Sequence, residues 1–413
     1  MGGASVPRLS YREALAWLYG TQRFGIKLGL ENIWKLLLEL HLPRGNPRII
    51  HVAGTNGKGS VCAMIDSICR AQGYRTGLFT SPHLVTFRER IRINGEMISE
   101  ECVARGLAEI RDRIADWDPY PTFFEIATAL GLLHFAEKNA EIIVLETGMG
   151  GRLDATNALE PVVSVITPID LDHQAWLGDT LEKIAEEKGG IIKRQIPVVS
   201  SRQKPEAEKV LRVRSAECDA PIQFVTTPYR DSIALIGAYQ QENAALTVAA
   251  LHAGKIGVTA DAITRGLADV EWPARFQIFD NHIVIDGAHN VAGARTLVQT
   301  WHEVFRDEKA TLIFGVLKDK NATEIYRTLS GITESVLLPA FQGERAMVPD
   351  ELAQIVASVT PDKECVICAS CADAIRQARQ RSHRILITGS LHFAGAMLAT
   401  LRGEPAAFEE CAQ

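Results

Sequence analysis

The chain has 413 residues, of which 46% are hydrophobic and 23% charged, and its formal net charge is −6. This length predicts two domains, and the lack of a long Lys/Arg tract disfavours a nucleic-acid partner. No apolar run is long enough to span a bilayer, and the N-terminus lacks a secretory signal and carries Val6 where myristoylation requires Ser or Thr. We therefore predict a cytoplasmic, soluble protein without a membrane partner.

Eight cysteines are too few for a disulfide scaffold in a chain of this length. Cys365, Cys368 and Cys371 have the spacing of metal ligands, but no second Cys/His cluster accompanies them. The segment Cys365-Val-Ile-Cys368 is predicted to be a buried strand, so a structural role is favoured for these thiols.

Short β-branched runs alternate with helix-length segments from about residue 48, which predicts a parallel sheet covered by helices on both faces. The region Tyr11–His41 is predicted to be helical around a polar break from Gly20 to Gly29. The strands expected in the first series are Arg48–Ala53, Thr76–Thr80, Glu141–Glu146, Val162–Thr167 and Ile196–Ser200. The helices expected between them are Ser60–Gln72, Glu100–Ala115, Thr122–Lys138 and Thr180–Lys188.

A second alternating series begins near Ile283. Its expected strands are Ile283–Asp286, Thr311–Gly315, Ser335–Leu338, Glu364–Ile367 and Arg384–Thr388. Its expected helices are Ala292–Phe305, Asn321–Leu329, Pro349–Val356, Ala372–Arg379 and Leu391–Leu401. Pro273 interrupts regular structure between the two series. We place the boundary near residues 270–282 and divide the chain into domains 1–273 and 274–413.

The segment His51-Val-Ala-Gly-Thr-Asn-Gly-Lys-Gly-Ser60 joins an apolar strand to a helix start through a glycine-rich turn. Glycines let backbone N–H groups converge on phosphate oxygens, and a helix N-terminus adds positive potential. Lys58 is expected to bridge terminal phosphates, and Ser60 to ligate Mg²⁺. The strict pattern G-x-x-x-x-G-K-[ST] is not met, because Val52 replaces the first glycine and Gly59 separates the lysine from the serine. An ordinary strand–helix turn is the alternative.

Glu146 ends a second apolar strand and is followed by the Gly148–Gly151 turn, Arg152 and Asp154. Open α/β sheets place ligand sites at the carboxyl ends of their strands. A carboxylate there can hold Mg²⁺ against nucleotide phosphates, whereas a solvated strand-end glutamate is the alternative.

Two further segments carry polar groups after an apolar stretch. His173 follows the strand that ends near Thr167; a lone histidine is more often structural than a ligand, and Asp172 competes with it as a metal ligand. Lys188 ends a helix, where spacing alone favours a lysine that complements the helix C-terminus.

Across the domain boundary, Arg275 is followed by the strand-end residues Asp286 and His289. No Ser or Cys nucleophile elbow accompanies them, which disfavours a hydrolytic triad. Such a set can close on phosphates held by the first domain, in the manner of a ligase whose active site lies in an interdomain cleft.

Together the segments His51–Ser60, Leu145–Asn157 and Asp286–Asn290 resemble the folylpolyglutamate synthase/dihydrofolate synthase family of Mur-type ligases, from about Tyr11 to Phe393. The resemblance implies an α/β fold with an N-terminal, P-loop-type, mostly parallel sheet domain and a smaller C-terminal Rossmann-like α/β domain. It implies that ATP phosphorylates the carboxylate of a pterin substrate, which is either dihydropteroate or a reduced folate. The amino group of L-glutamate then attacks the acyl phosphate to form an amide. Two Mg²⁺ ions and a monomer are expected.

The resemblance assigns the nucleotide and metal sites residue by residue. Ser60 and Glu146 match ligands of one Mg²⁺, His173 matches a ligand of the second, and Lys188 matches a lysine that is carbamylated in the family. Lys58, His173, Lys188, Asp286 and His289 are the expected catalytic residues. The expected nucleotide-binding residues are Gly54, Thr55, Asn56, Gly57, Lys58, Gly59, Ser60, Asn243, Arg275 and Asp286.

The resemblance also assigns a pterin and substrate-carboxylate side. The aromatic pair Phe123 and Phe124 matches a stretch beside the pterin site, although core packing explains the pair nearly as well. The expected substrate-binding residues are Phe24, Gly25, Ser81, Pro82, His83, Phe124, Arg152 and Asp154.

The chain departs from the family pattern at three positions: Ala274 replaces a glycine, Gly189 replaces an alanine, and Tyr239 stands where histidine is common. The first two are expected to be tolerated, and the third bears on a local nucleotide contact. The segment Asp170–Gln174 resembles the form of bacterial bifunctional members, which favours both activities.

Three functional alternatives are a monofunctional folylpolyglutamate synthase, another Mur-type ligase and a nucleotide-dependent switch without turnover. The second lacks support because the phosphate loop begins only about fifty residues into the chain, which leaves no room for a sugar-nucleotide domain. The Asp286/His289 cluster disfavours the third alternative, because a simple nucleotide switch does not require it.

Overall fold

The structure, a computed structural model, describes residues 9–24, 29–343, 345–381 and 383–404, with only the backbone given for residues 23 and 24. These ranges form two sheets that are flanked by helices. Among the residues described, no helix is both long enough and apolar enough to cross a membrane.

The first sheet has eight strands in the order β4-β3-β2-β5-β1-β6-β7-β8. Pairing is parallel from β2 to β8 across the sheet and antiparallel at the β2–β3 and β3–β4 pairs. The strands are β1 Arg48–Ala53, β2 Thr76–Phe79, β3 Ile91–Ile93, β4 Glu96–Met97, β5 Ile142–Glu146, β6 Val163–Ile166, β7 Val198–Ser201 and β8 Ile222–Val225.

Ten α-helices accompany this sheet in the described chain. They are α1 Tyr11–Gly20, α2 Glu31–Glu39, α3 Lys58–Gln72, α4 Glu100–Arg113, α5 Phe123–Glu137, α6 Gln174–Leu177, α7 Leu181–Gly189, α8 Pro205–Glu217, α9 Ala238–Ala253 and α10 Ala260–Ala268. Short 3-10 helices cover Thr21–Phe24, Phe87–Arg90 and Ala155–Ala158.

β1 lies at the centre of the first sheet, between β5 and β6. Side chains alternate between faces along a strand, so Ile49 packs into one hydrophobic core and Ile50 into another on the opposite face. A strand buried on both faces reads as a continuous apolar run, which is why His51 stands out within β1.

The second sheet has six strands in the order β13-β12-β11-β14-β10-β9, all parallel except for the antiparallel β9. The strands are β9 Gln277–Phe279, β10 Ile283–Ile285, β11 Ala310–Phe314, β12 Thr333–Pro339, β13 Cys365–Cys368 and β14 Arg384–Thr388. The helices are α11 Val291–Phe305, α12 Ala322–Leu329, α13 Pro349–Val359, α14 Cys371–Arg379 and α15 Leu391–Arg402, and a 3-10 helix covers Ser330–Ile332. The predicted α/β class and the two-sheet architecture are confirmed.

The prediction of a buried Cys365–Cys368 strand is wrong in one respect. β13 is the outermost strand of its sheet, and Ile367 is 48% exposed. An edge strand packs on one neighbour only, which a run of apolar letters does not reveal. No group of three or more His, Cys, Asp or Glu side chains in the described part of the chain is arranged to hold a metal ion, and Cys365, Cys368 and Cys371 are free thiols.

The carboxyl ends of the central strands position the polar segments singled out in the sequence. The phosphate loop follows β1, Glu146 ends β5, and Asp172 lies beyond β6. In the second domain Asp286 follows β10 directly. Because these edges face one another, side chains from both domains meet at one cleft.

Candidate active site

A cavity of about 360 Å³ lies between the carboxyl edges of the two sheets. Both domains contribute to its wall, which contains loops after β1, β5 and β6 and the segments around β10 and β11. The sequence-predicted residues that line it are Thr55, Asn56, Gly57, Lys58, Gly59, Ser60, Ser81, Pro82, Glu146, His173, Lys188, Asn243, Arg275, Asp286 and His289.

The phosphate loop connects β1 to α3 and depends on two glycines with positive φ. Gly54 has φ +147, and a Cβ there would lie 1.8 Å from the Thr167 hydroxyl. Gly57 caps α3 with φ +90, where a side chain would also meet the Asn243 amide. The turn is therefore restricted to glycine at both positions.

The non-standard spacing of the loop has a packing explanation. A Cβ at Gly59 would lie 2.8 Å from Nε1 of Trp272, so the indole occupies the space that a side chain would need. Trp272 belongs to the segment that joins the two domains. The glycine between Lys58 and Ser60 thus lets the interdomain segment cover the first turn of α3.

The side chains of the loop are held by backbone and side-chain partners. Nζ of Lys58 donates to the carbonyl oxygens of Gly54 at 3.2 Å and Thr55 at 3.4 Å. The Ser60 hydroxyl accepts from Gln240 at 3.3 Å and lies at the N-terminal end of α3. An ammonium group and a helix N-terminus that face one cavity make this end of the site suitable for phosphates.

Glu146 places a buried carboxylate beside the loop. Its Oε2 accepts from the Ser81 N–H at 3.1 Å, and the Ser81 hydroxyl, also buried, has no hydrogen-bond partner. Burial raises the pKa of Glu146, and the charge of Lys58 opposes the shift. Hydroxyl and carboxylate oxygens are the hard ligands that Mg²⁺ prefers, so Ser60, Ser81 and Glu146 fit this ion.

Lys188 is buried beside the phosphate loop. Its Nζ donates to the Gly54 carbonyl at 2.8 Å, so the side chain runs into the site. Burial, together with the charge of Lys58, lowers the pKa of Lys188 to about 7. A substantial fraction of the amine is therefore unprotonated near neutral pH, as formation of a carbamate requires.

Asp172 is the meeting point of the two domains. It accepts from Nζ of Lys320 at 2.6 Å and from Nδ2 of Asn290 at 3.3 Å, and His289 Nε2 lies at 3.5 Å. Burial alone raises the pKa of Asp172, but His289, His173 and Lys320 lower it well below the ordinary value. The same Asn290 amide donates to Asn56 of the phosphate loop at 3.1 Å, which ties the second domain to the loop.

His173 caps the short helix α6 with φ 50. Burial lowers its pKa to about 4, and the carboxylate of Asp172, 3.9 Å away, opposes the shift. The imidazole is consequently neutral near pH 7, the form that can ligate a metal ion.

Asp286 is held rigidly at the end of β10. Its carboxylate accepts from the N–H groups of Phe276 and Ala288, both at 2.8 Å. Burial raises the pKa of Asp286, and the nearby Arg275 opposes the shift. Tyr239, which departs from the family pattern, also lines the cavity, and burial raises its pKa.

Four predicted substrate residues do not line the cavity. Arg152 is half exposed and pairs with Glu187 at 2.7 Å, while His83 is buried and accepts from Arg90 at 2.8 Å. Phe124 packs beneath the Gly148 turn, and Asp154 accepts from the N–H groups of that turn. Gly25 and the side chain of Phe24 lie outside the described residues.

Sequence reasoning missed Lys320 and Trp272 as parts of the site. Lys320 follows the carboxyl end of β11, so the strand-end rule that singled out Asp286 also applies to it. Trp272 gave no local signal, because its role depends on contact with a glycine in the other half of the chain.

Two family models match the chain: the Mur ligase middle domain over residues 52–205 and the Mur ligase glutamate ligase domain over residues 274–391. A relative named dihydrofolate synthase/folylpolyglutamate synthase, from Bacillus subtilis, is 36% identical over 93% of this chain and 97% of its own length.

Solved structures agree over the whole fold. Escherichia coli FolC in complex with DHPP and ADP is 28% identical with a TM-score of 0.86, covering 97% of this chain and 99% of that one. The Yersinia pestis bifunctional folylpolyglutamate synthase/dihydrofolate synthase complexed with AMPPNP and Mn ion is 29% identical with a TM-score of 0.86, covering 97% and 100%.

Proposed function

Because the chain belongs to the folylpolyglutamate synthase/dihydrofolate synthase family of Mur ligases, we propose that it joins L-glutamate to dihydropteroate and to reduced folates in an ATP-dependent reaction. The observation that carries the proposal is the single cavity in which the phosphate loop of the first domain faces Arg275, Asp286 and His289 of the second. A free carboxylate is a poor electrophile, so amide formation requires activation before the amine attacks.

The reaction consists of two displacements, of which the first activates the carboxylate and the second forms the amide. An oxygen of the pterin carboxylate attacks the γ-phosphorus of ATP, which breaks the bond to ADP and forms an acyl phosphate. The amino group of glutamate then attacks the acyl carbon, loses a proton, and expels inorganic phosphate. Lys58, which lines the cavity, and the N-terminus of α3 would neutralise charge on the transferring phosphoryl group, so the protein would act by positioning and electrostatics.

Ser60 and Glu146, with the unpaired hydroxyl of Ser81, would hold one Mg²⁺, which supplies charge neutralisation to the nucleotide phosphates. His173 and a carbamylated Lys188 would hold a second ion. The neutral imidazole and the lowered pKa of Lys188 suit these roles. A carbamate converts a buried cation into an anion and removes its repulsion toward Lys58.

In the second domain, Asp286 and Arg275 would contact the nucleotide, and His289 would lie near the incoming glutamate. Asn243, whose amide lies against Gly57, would stand on the adenine side. Ser81 and Pro82, which line the cavity, would face the pterin, while Phe124 and Asp154 pack against or bond to the Gly148 turn in the same wall. Phe24, Gly25, His83 and Arg152 remain proposed substrate contacts.

We propose the same division at residues 273 and 274, with ATP bound by the first domain and the ligase domain closing over it. A cytoplasmic monomer is part of the proposal. The free thiols of the described chain suit a reducing compartment.

The test combines purified protein with Mg-ATP, L-glutamate and either dihydropteroate or a reduced folate, and follows phosphate release. The proposal predicts release that depends on glutamate and on each pterin. Release that needs neither pterin would contradict it, and activity with the folate alone would reduce it to a monofunctional chain extender. Turnover without a pterin carboxylate would instead favour a nucleotide switch or another ligase.

A further inference from the structure

A buried chain of polar side chains connects the central strand to the cavity wall. Nε2 of His51 lies 2.8 Å from Oγ1 of Thr156, and that hydroxyl lies 2.5 Å from Oδ1 of Asp154. The exposed fractions of His51, Thr156 and Asp154 are 1%, 0% and 6%. A histidine inside an otherwise apolar strand needs a partner, and here the partner leads toward the site.

The chain ends on the turn that lines the cavity. Oδ2 of Asp154 accepts from the N–H groups of Gly148 at 2.9 Å and Met149 at 3.0 Å, and both residues belong to the cavity wall. On its other side the turn meets the ring of Phe124, which would lie 2.6 Å from a Cβ at Gly148. The turn is therefore clamped between an aromatic ring and a carboxylate.

The directions of the hydrogen bonds follow from the available protons. Asp154 meets only donors: two N–H groups of the turn, the Thr156 N–H at 3.0 Å and the Thr156 hydroxyl. A carboxylate is an acceptor only, so Thr156 donates its single hydroxyl proton to Asp154 and accepts from Nε2–H of His51. Burial and the charge of Lys193 lower the pKa of His51 to about 3, so the imidazole is neutral and the Nε2–H tautomer is fixed by this contact.

We propose that His51 and Thr156 are positioning residues that orient Asp154 and the Gly148–Gly150 turn for the pterin substrate. The inference rests on the proposed function, since it assigns the turn to the pterin side of that site. Neither residue lines the cavity, so each acts through Asp154.

The test compares Thr156→Val, which keeps the shape and removes the hydroxyl, with Thr156→Ser, which keeps the hydroxyl. We expect Thr156→Val to raise the KM for dihydropteroate about tenfold, with kcat and the Kd for Mg-ADP within about threefold of wild type, because a buried carboxylate loses one donor. Thr156→Ser restores the KM. His51→Leu gives a smaller rise in the KM, because Thr156 still donates to Asp154 but loses the donor that fixes its hydroxyl. In combination with Thr156→Val it adds little, since both residues belong to one chain.

Thr76→Val is the matched control. The hydroxyl of Thr76 also donates to a buried carboxylate, Asp66, at 2.5 Å, but this pair lies at the start of β2, away from the cavity. Its KM for dihydropteroate is expected to equal that of wild type, whatever its melting temperature.

The outcomes distinguish the positioning role of Thr156 from the ligase function. An active wild type whose Thr156→Val variant keeps the normal KM overturns the positioning role and leaves the ligase function intact. A loss of stability with parallel changes in both substrates, as in a purely structural residue, overturns it as well. A wild type without pterin-dependent turnover contradicts the function itself.

Discussion

Replacing Gly59 with alanine tests whether the interdomain segment truly sets the spacing of the phosphate loop. The new Cβ would lie 2.8 Å from Nε1 and 3.2 Å from Cε2 and Cζ2 of the Trp272 ring. Real Cβ atoms do not approach so closely, so either the rigid indole or the first turn of α3 must move. Overpacking of this kind typically costs about 1–3 kcal/mol.

We expect Gly59→Ala to lower the free energy of unfolding by about that amount, measured by urea titration. Movement of α3 would also displace the N–H groups proposed to bind the phosphates, so the Kd for Mg-ADP should rise about tenfold, equivalent to about 1.4 kcal/mol, in calorimetry.

Two further variants isolate the cause. Gly331→Ala is the control, because nothing lies within 4 Å of a Cβ at that position. Trp272→Leu should partly rescue Gly59→Ala, since the two residues share one contact and their effects are then not additive. Wild-type stability and ADP affinity in Gly59→Ala would refute the packing explanation, as would strictly additive effects in the double variant.

The remaining predictions concern single groups. Lys58→Ala should abolish turnover through lost phosphate neutralisation, whereas near-normal rates in steady-state assays would show that the loop is misassigned. Ala274 is buried with φ +56, a left-handed backbone conformation that is strained for alanine. Ala274→Gly should therefore raise the free energy of unfolding by about 0.5–1 kcal/mol in urea titration. The unfolded state of wild type binds a proton at His51 between pH 6.5 and about 3, so the free energy of unfolding should fall as pH drops through this window, by about 2.7 kcal/mol from this residue at pH 4.5. His51→Gln should show a smaller fall in urea titrations over the same pH range. Bicarbonate should raise the turnover of protein prepared free of carbon dioxide, and native mass spectrometry that finds an unmodified amine at Lys188 in the active protein would exclude the carbamate.

The elements that carry the site were predictable because each combines two local signals. An apolar run that ends in polar residues gives both the strand and its functional edge, as with Glu146 and Asp286. The glycine-rich loop adds backbone geometry that few other sequences require. Both signals lie within about ten residues of chain, so they can be read without tertiary structure.

Contacts between distant segments could not be predicted in this way. The packing of Trp272 on Gly59 joins residues that are far apart in the sequence, and the pairing of Lys320 with Asp172 arises only when the two domains meet. The helices α8, α9 and α10 were also missed. The α9 sequence mixes alanines with polar residues, and two of these, Gln240 and Asn243, are buried and bonded to each other, so the helix lacks a clear apolar stripe.

The contacts of Asp154 show what a motif match cannot determine. The family pattern assigns it to the substrate, and the structure shows that its carboxylate orders the neighbouring turn. A motif identifies that a residue matters, whereas the contacts distinguish direct binding from positioning.

The central claim is that the cleft activates a carboxylate by transferring a phosphoryl group to it. Dihydropteroate labelled with ¹⁸O in its carboxylate tests this directly, with mass spectrometry of the phosphate released during turnover with Mg-ATP and L-glutamate. The account predicts one ¹⁸O atom in each phosphate, because the oxygen that attacks the γ-phosphorus leaves with it. Unlabelled phosphate, formed while the amide product accumulates, would contradict the acyl-phosphate mechanism.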